Sequence, residues 1–147
     1  MSATRTLLRH TEVANRLRPA LLKLARELRR ESHALGVTGG QVTLLIQIRR
    51  NRGIGVNELA ALERMSPAAM SGYVARLEKA GLVARTPHAS DRRRQGLSVT
   101  AEGERVLRSV KSRRTAWLAA RLERLGQGEL QALDAAVEPL MQLLEDA

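Results

Sequence analysis

The amino-acid sequence predicts a mainly α protein with a small β-wing, in which a winged helix-turn-helix is flanked by N- and C-terminal dimerisation helices. Two short helices at residues 56–63 and 67–80 are joined by a turn at residues 64–66, an arrangement that places the second helix in a DNA major groove. Strand-like segments at residues 82–86 and 96–100 then flank an arginine-rich loop. Long helical segments precede and follow this unit.

The N-terminal third predicts two helices. Apolar residues recur at near-helical spacing from about residue 6 to residue 35, which predicts a long first helix. Pro19 lies inside it and predicts a kink or a restart of the helix. Thr38 is a favoured N-cap for a second helix that ends near residue 50. Gly39-Gly40 is expected to weaken the first turn of that helix, because glycine is a poor helix former.

The second helix of the helix-turn-helix has a well-defined start and a buried face. Ser66 is a good N-cap and Pro67 is a good first helical residue. Met70, Val74 and Leu77 lie at positions i, i+4 and i+7, so they form an apolar stripe that must face the core. The remaining face of this helix is therefore available to a partner.

That available face is suited to DNA. Small residues at Ala68, Ser71 and Gly72 allow the backbone to approach base edges closely, Ser71 offers a hydroxyl, and Ala68 can touch a thymine methyl group. Arg76 is the best candidate on this helix for contact with guanine or the backbone. The alternative is a solvated helix face on which Arg76 forms a local ion pair.

The predicted wing carries the loop Asp91-Arg92-Arg93-Arg94. Three adjacent arginines at a hairpin tip predict contact with phosphate groups or with a narrow minor groove. The sequence therefore predicts a DNA-binding surface made of Ser66, Pro67, Ala68, Ser71, Arg76, Asp91, Arg92, Arg93 and Arg94.

The C-terminal third predicts a long helix at residues 101–125, a break at residues 126–128 and a last helix at residues 129–144 with a strong apolar repeat. The terminal helices carry more apolar surface than one wing domain can cover, which predicts a homodimer. We therefore expect one domain over residues 1–147, with a DNA-binding lobe at 36–100 and dimerisation helices at 1–35 and 101–147. The alternative is a monomer whose terminal helices pack on the DNA-binding lobe.

The amino-acid composition indicates which class of partner the protein binds. The chain has 25 Lys plus Arg against 15 Asp plus Glu, a formal net charge of +10, which favours a polyanionic partner, although a basic surface can also serve solubility alone. It contains one Trp, one Tyr and no Phe. Because recognition of RNA and single-stranded DNA depends on aromatic stacking, this composition favours double-stranded DNA.

Several other classes of function are disfavoured. The chain has no cysteine, which excludes disulfides and thiol chemistry. His10, His33 and His88 are scattered along the sequence, so no metal site is expected. No catalytic or cofactor-binding motif is present, so we expect neither an enzyme nor a cofactor. The first residues form no apolar signal segment and no apolar run has membrane-spanning length, so we expect a cytoplasmic protein with no membrane partner.

Two segments, LEKAGLVAR at residues 77–85 and DRRRQGLSVTAEG at residues 91–103, resemble the multiple antibiotic resistance regulators, the MarR family. The resemblance implies an obligate homodimer that acts at palindromic operators. It also implies that Arg93 enters the minor groove and that Asp91 orients it. Members of this family usually sense a small anionic or aromatic effector, whose binding residues this sequence does not locate.

The leading interpretation is a sequence-specific regulator of transcription that binds double-stranded DNA as a homodimer, acts as a repressor and is released by a small anionic or aromatic effector. One alternative is an architectural, nucleoid-type protein that binds DNA with little sequence preference. Another is a winged-helix module for protein–protein contact, which the arginines of the wing speak against. The salt and sequence dependence of DNA binding separates the first two classes.

Overall fold

The structure, a computed structural model, describes residues 2–145 and confirms the predicted mainly helical fold with a β-wing. The chain forms two compact units, one extending to Arg114 and one beginning at Thr115. The first unit contains, in chain order, α1 (Ser2–Arg30), a short 3-10 helix (His33–Leu35), α2 (Gly39–Arg50), α3 (Val56–Leu62), α4 (Pro67–Lys79), β1 (Val83–Pro87), β2 (Gln95–Val99) and the larger part of α5 (Ala101–Leu122). The second unit contains the end of α5 and α6 (Gln127–Gln142).

Helix α1 ends earlier than predicted, and of the two outcomes expected at Pro19 the restart does not occur. It is helical on both sides of Pro19 without a restart, because the missing N–H removes only one of many backbone hydrogen bonds. It ends at Arg30 rather than at residue 35. The buried hydroxyl of Ser32 lies 2.8 Å from the carbonyl oxygen of Arg29 and 2.9 Å from that of Val37. These contacts compete with helical bonding and turn the chain toward α2.

Helix α2 begins at the predicted N-cap. The hydroxyl of Thr38 accepts a hydrogen bond from the backbone N–H of Gln41 at 3.1 Å, and the Gln41 side chain accepts one from the backbone N–H of Thr38 at 2.9 Å. Gly39 has a packing role that the sequence did not reveal. It is buried, and a Cβ there would lie 2.7 Å from Nε of Arg29, so glycine lets α1 pass close to the start of α2.

The core of the first unit lies between α2, the helix-turn-helix, the wing strands and the start of α5. Met70, Val74 and Leu77 are fully buried, which confirms the predicted apolar stripe of α4. They pack in one cluster with residues of the neighbouring elements, including Leu45, Ile48, Leu59, Leu97 and Val110. This packing presents the opposite face of α4 to solvent.

The wing is a two-stranded antiparallel sheet, in which Val83 pairs with Val99 and Pro87 pairs with Gln95. An isolated bridge between Ile54 and Leu97 adds to this sheet. The backbone approaches closely at this point: the N–H of Gly53 donates to the carbonyl oxygen of Leu97 at 2.8 Å, and a Cβ at Gly96 would clash with the carbonyl group of Gly53. The wing is thus attached to the segment that leads into α3.

In the second unit, α5 ends at Leu122 and α6 begins at Gln127, two residues before the predicted start. Gly126 is the N-cap, and its N–H donates to the side chain of Glu129 at 3.3 Å. This is one of the two hydrogen bonds of a capping box, and the helix includes Gly128, which the sequence had suggested as part of the break. No residue of α6 is buried in the part of the chain that the structure describes.

Candidate nucleic-acid interface

The turn between α3 and α4 determines where the recognition helix begins. Arg64 adopts a left-handed conformation, with φ of 54°, and the N–H of Met65 donates to the carbonyl oxygen of Ala60 at 2.8 Å. Ser66 then caps α4, since its hydroxyl accepts from the N–H of Ala69 at 3.1 Å. Pro67 is the first residue of the helix. The predicted cap and first residue are both confirmed.

One face of α4 is exposed along its length. Ala68, Ser71, Gly72 and Arg76 all face solvent, and a Cβ at Gly72 would meet nothing within 4 Å. The guanidinium carbon of Arg76 lies 5.5 Å from the centre of the Tyr73 ring, within the range of a cation–π contact. Among the residues that the structure describes, Arg76 forms no ion pair, so the alternative of a local salt bridge is not what the structure contains.

A different arginine near the end of α4 does form such a pair. Arg85 of β1 donates to Oε1 of Glu78 through Nη2 at 2.7 Å and through Nε at 3.1 Å. The pair ties the last turn of α4 to the wing. The guanidinium of Arg85 is therefore paired within the protein, whereas the exposed guanidinium of Arg76 is available to contact another molecule.

The tip of the wing has internal order despite its exposure. Oδ1 of Asp91 accepts hydrogen bonds from the backbone N–H of Arg93 at 3.1 Å and from Nε of Arg93 at 3.3 Å. Both bonds lower the pKa of Asp91, and the bond from the backbone N–H has the larger effect. The N–H of Arg94 donates to the carbonyl oxygen of Asp91 at 3.0 Å. The Arg93 side chain is nevertheless 92% exposed, so its orientation is restricted while its cationic surface stays accessible.

The three wing arginines form one exposed cationic cluster. Arg92, Arg93 and Arg94 are all exposed, while Asp91 is half-buried. Together with the exposed face of α4, this cluster gives the first unit two exposed surfaces that carry arginine, a residue type suited to major-groove and minor-groove or phosphate contact.

His88 and Glu58 belong to this region but were not among the predicted site residues. The ring of His88, with 4% of its side chain exposed, forms a hydrogen bond through Nε2 with Oε1 of Glu58. Its other nitrogen, Nδ1, accepts from the backbone N–H groups of Ser90 and Asp91, both at 3.1 Å. Position N3 of α3 predicts a capping role for Glu58, but no local pattern predicts the contact with His88, which is 30 residues away.

Comparison with known proteins identifies the family. Residues 37–94 match the model of the MarR family. The HTH-type transcriptional repressor MdtR of Bacillus subtilis is 32% identical over 108 residues, covering 74% of this chain and 70% of that protein. A transcriptional regulator of Pseudomonas aeruginosa, of known crystal structure, is 33% identical with a TM-score of 0.81, covering 95% of this chain and 98% of that one. The chain belongs to the MarR family.

Membership of the MarR family makes this protein a DNA-binding regulator of transcription, as the resemblance implied. A HTH-type transcriptional regulator of Mycobacterium bovis, whose function is uncharacterised, is 29% identical over 92% of this chain and 94% of its own length. The MarR model covers all nine predicted DNA-binding residues, from Ser66 to Arg94. Within the described residues, no helix is long and apolar enough to cross a membrane, and no group of three or more potential metal ligands occurs.

The MarR-family chain also has an open cavity of about 430 Å³ between α1 and the start of α2. Arginines and a histidine dominate its polar lining, and the two glycines of α2 also line it. Its lining residues are Leu22, Ala25, Arg26, Arg29, Arg30, His33, Gly39 and Gly40. The cavity therefore combines positive charge with aliphatic surface.

Proposed function

We propose that this MarR-family protein is a transcriptional repressor that binds palindromic operators in double-stranded DNA as a homodimer. The observation that carries the proposal is the pairing of an unobstructed recognition face on α4 with an exposed arginine cluster on the wing. In this proposal residues 36–100 form the DNA-binding lobe, residues 1–35 and 101–147 supply dimerisation helices, and the protein acts in the cytoplasm, where it meets DNA.

Helix α4 enters the major groove in this proposal. Its exposed side chains at Ala68 and Ser71 are short, and Gly72 has none, so the helix backbone can approach the base edges. Ser66 and Pro67 lie at the N-terminus of α4, the end of a recognition helix that contacts DNA first. Arg76 supplies the long cationic side chain for a guanine or a phosphate.

The wing contacts the neighbouring backbone and minor groove. Arg93 enters the minor groove with Asp91 orienting it, and Arg92 and Arg94 contact phosphates. Support comes from the two hydrogen bonds between Asp91 and Arg93 and from the exposure of all three guanidinium groups. Arginine is favoured in narrow minor grooves because the negative potential is enhanced there.

Exposed apolar surface supports the homodimer. No residue of α1 within the described chain is buried, yet the helix carries exposed Leu7, Leu8 and Val13. Helix α6, considered by itself, exposes Leu130, Leu133, Val137 and Met141. Contiguous apolar faces of this kind are rarely left to solvent. A two-fold symmetric dimer would cover them and would place two recognition helices about 34 Å apart, the repeat of the DNA helix.

A small anionic effector is the proposed means of release. The cavity beside Arg26, Arg29 and Arg30 supports this part, because guanidinium groups bind carboxylates well. An effector regulates only if it binds the free protein more tightly than the DNA complex. Titration with a small aromatic carboxylate tests this part, with Arg26→Ala and Arg30→Ala expected to weaken binding and exposed Arg5→Ala as the control.

The decisive experiment measures binding to the DNA that flanks the protein's own gene, in the presence of competitor DNA and at defined salt. A repressor of the proposed kind binds one palindromic site far more tightly than competitor and lowers transcription from the adjacent promoter. Equal affinity for all sequences would instead favour the architectural alternative. The relative from Bacillus subtilis, a transcriptional repressor by name, supports repression as the direction of control.

A further inference from the structure

We propose that His88 is a positioning residue for DNA binding, which, together with Glu58, attaches the wing loop to the helix-turn-helix and so holds Arg93 ready before DNA is bound. The inference rests on the proposed function, because positioning Arg93 matters only if the wing contacts DNA.

Both ring nitrogens of His88 are used, and this defines its tautomer. Nδ1 accepts two backbone N–H groups, those of Ser90 and Asp91, so it carries no proton. Nε2 must then carry the proton and donate it to the carboxylate of Glu58. The ring joins a carboxylate of α3 to the backbone of the wing loop.

The contacts of His88 close both ends of the loop. Its backbone N–H donates to the carbonyl oxygen of Arg94 at 3.0 Å, while its ring accepts from the first residues of the loop. Next to it, the N–H of Ala89 donates to the carbonyl oxygen of Gly53 at 3.0 Å. The segment between these bonds contains Asp91 and its bonded Arg93. The conformation of the loop is therefore restricted by contacts with residues outside it as well as by bonds between its own residues.

Glu58 anchors this arrangement to the helix-turn-helix. Its Oε1 also accepts from the backbone N–H of Gly55, the N-cap of α3, at 3.3 Å. The hydrogen bond from His88 contributes most to lowering the pKa of Glu58, and the bond from Gly55 lowers it further. The carboxylate is therefore ionised at neutral pH. One oxygen atom thus caps α3 and holds the wing histidine. A Cβ at Gly55 would lie 3.0 Å from Oε1 of Glu58, closer than most such contacts, so glycine suits this position.

Pre-organisation is the physical benefit. A free loop must lose conformational freedom when it binds, and a loop that is already ordered loses less. Removing the His88 ring should therefore weaken operator binding without removing any cation from the interface. The salt dependence, which counts phosphate contacts, should remain that of the wild type.

The test compares His88→Ala, Glu58→Ala and Glu58→Gln with Arg93→Ala and with the double variant of His88 and Arg93. Glu58→Gln keeps an amide oxygen for both hydrogen bonds and should restore most of the affinity lost in Glu58→Ala. Glu63→Ala is the matched control, because it removes one carboxylate from the other end of α3, where the Glu63 side chain forms no hydrogen bond or ion pair within the described residues. Operator affinity is measured at several salt concentrations, with amide exchange at Ser90 and Asp91 and a thermal melt of each free variant.

We expect Arg93→Ala and His88→Ala each to weaken operator binding by roughly ten- to hundredfold, and the double variant to lose little more than Arg93→Ala alone. Amide exchange at Ser90 and Asp91 should rise in His88→Ala, and Glu63→Ala should bind like the wild type. If Arg93→Ala weakens binding but His88→Ala does not, or if the two losses add fully, the positioning role is wrong and the proposed function stands. If Arg93→Ala itself has no effect, the wing contact of the proposed function is wrong, and the inference falls with it.

The protonation of the His88 ring can also be measured in the wild-type protein, so this second test does not depend on the folding of a variant. Nitrogen NMR of His88 should identify Nδ1 as unprotonated and Nε2 as protonated in the free protein. The opposite tautomer, or rapid exchange between the two, would overturn the proposal whatever the affinities of the variants are.

Discussion

Asp91 and Arg93 are joined by two hydrogen bonds that converge on one carboxylate oxygen: Oδ1 of Asp91 accepts from both the backbone N–H and Nε of Arg93. The bonds are local and exposed, so their contribution to global stability is small. Their effect is on geometry, because they restrict an arginine whose side chain otherwise projects into solvent. In this MarR-family protein that restriction suits a residue proposed to enter a narrow groove.

The arginines on either side of Arg93 are expected to act as phosphate contacts. Arg92→Ala and Arg94→Ala should each weaken binding to all DNA sequences to a similar extent and should lower the salt slope by about one unit. Equilibrium binding at a series of salt concentrations measures both effects. Arg5→Ala, at an exposed position near the start of α1, is the control for the loss of one charge. Wild-type affinity and slope in both wing variants would show that the wing does not contact phosphates.

The wing loop should become less ordered as the pH falls into the acid range. The hydrogen bond from the backbone N–H of Arg93 is the largest cause of the lowered pKa of Asp91. The hydrogen bond with His88 is the largest cause of the lowered pKa of Glu58. A lowered folded-state pKa gives stability that is present above the unfolded value, ordinarily 3.8 for Asp91, and is lost as the pH falls through the folded value. NMR titration of the carboxyl carbons should find both groups below their ordinary values. A value at or above the ordinary one would contradict the bonding described for that group.

Arg76 is expected to be the strongest single contributor on the recognition helix. Arg76→Ala should weaken operator binding by roughly 1–3 kcal/mol if the guanidinium contacts a base edge, with a smaller loss of sequence selectivity if it contacts a phosphate. Arg85→Ala is a matched control, because Arg85 is nearby but paired with Glu78. Binding assays on cognate and mutated operators distinguish these cases. An Arg76→Ala protein that folds normally and binds as tightly as the wild type would remove Arg76 from the interface.

Gly72 allows stability and DNA binding to be separated. A Cβ at Gly72 meets no atom within 4 Å in the free protein, and alanine is the better helix former, so Gly72→Ala should stabilise the fold by roughly 0.5–1 kcal/mol. If the helix backbone approaches base edges at this position, the same methyl group should weaken operator binding. Chemical denaturation and operator titration measure the two effects. A more stable variant with unchanged affinity would place Gly72 away from the DNA.

A charge on α6 should disrupt assembly. The side chain of Leu133 is 48% exposed, so Leu133→Glu should leave the subunit folded while it abolishes the apolar contact between subunits. Leu140→Glu, at a half-buried position, should act in the same direction. Dimerisation and operator binding should fall together, because a monomer reaches only one half-site. Sedimentation and operator titration provide the measurement, with Gln131→Glu as the control for added charge. Full operator affinity in a monomeric protein would refute the dimer.

Local signals explain why the sequence alone predicted so much of the DNA-binding lobe. Ser66 and Pro67 mark the start of α4, the spacing of Met70, Val74 and Leu77 orients it, and Thr38 marks the start of α2. Caps, first-turn prolines and apolar periodicity act over a few neighbouring residues, so they can be recognised without knowledge of the fold. The exposed face of α4 followed from the same periodicity.

Contacts between distant segments decided the rest. The ring of His88 meets Glu58 across 30 residues, and Gly39 is buried against Arg29, a packing role that its helix propensity does not suggest. At Pro19 the restart is excluded, because α1 continues through it, and the kink stays a prediction. The sequence by itself determined the elements, the apolar stripe of α4 and the composition of the two basic surfaces, because each depends on residues close together in the chain. Only the tertiary structure decided how the wing is attached to the helix-turn-helix, because that attachment depends on hydrogen bonds between groups brought together by folding.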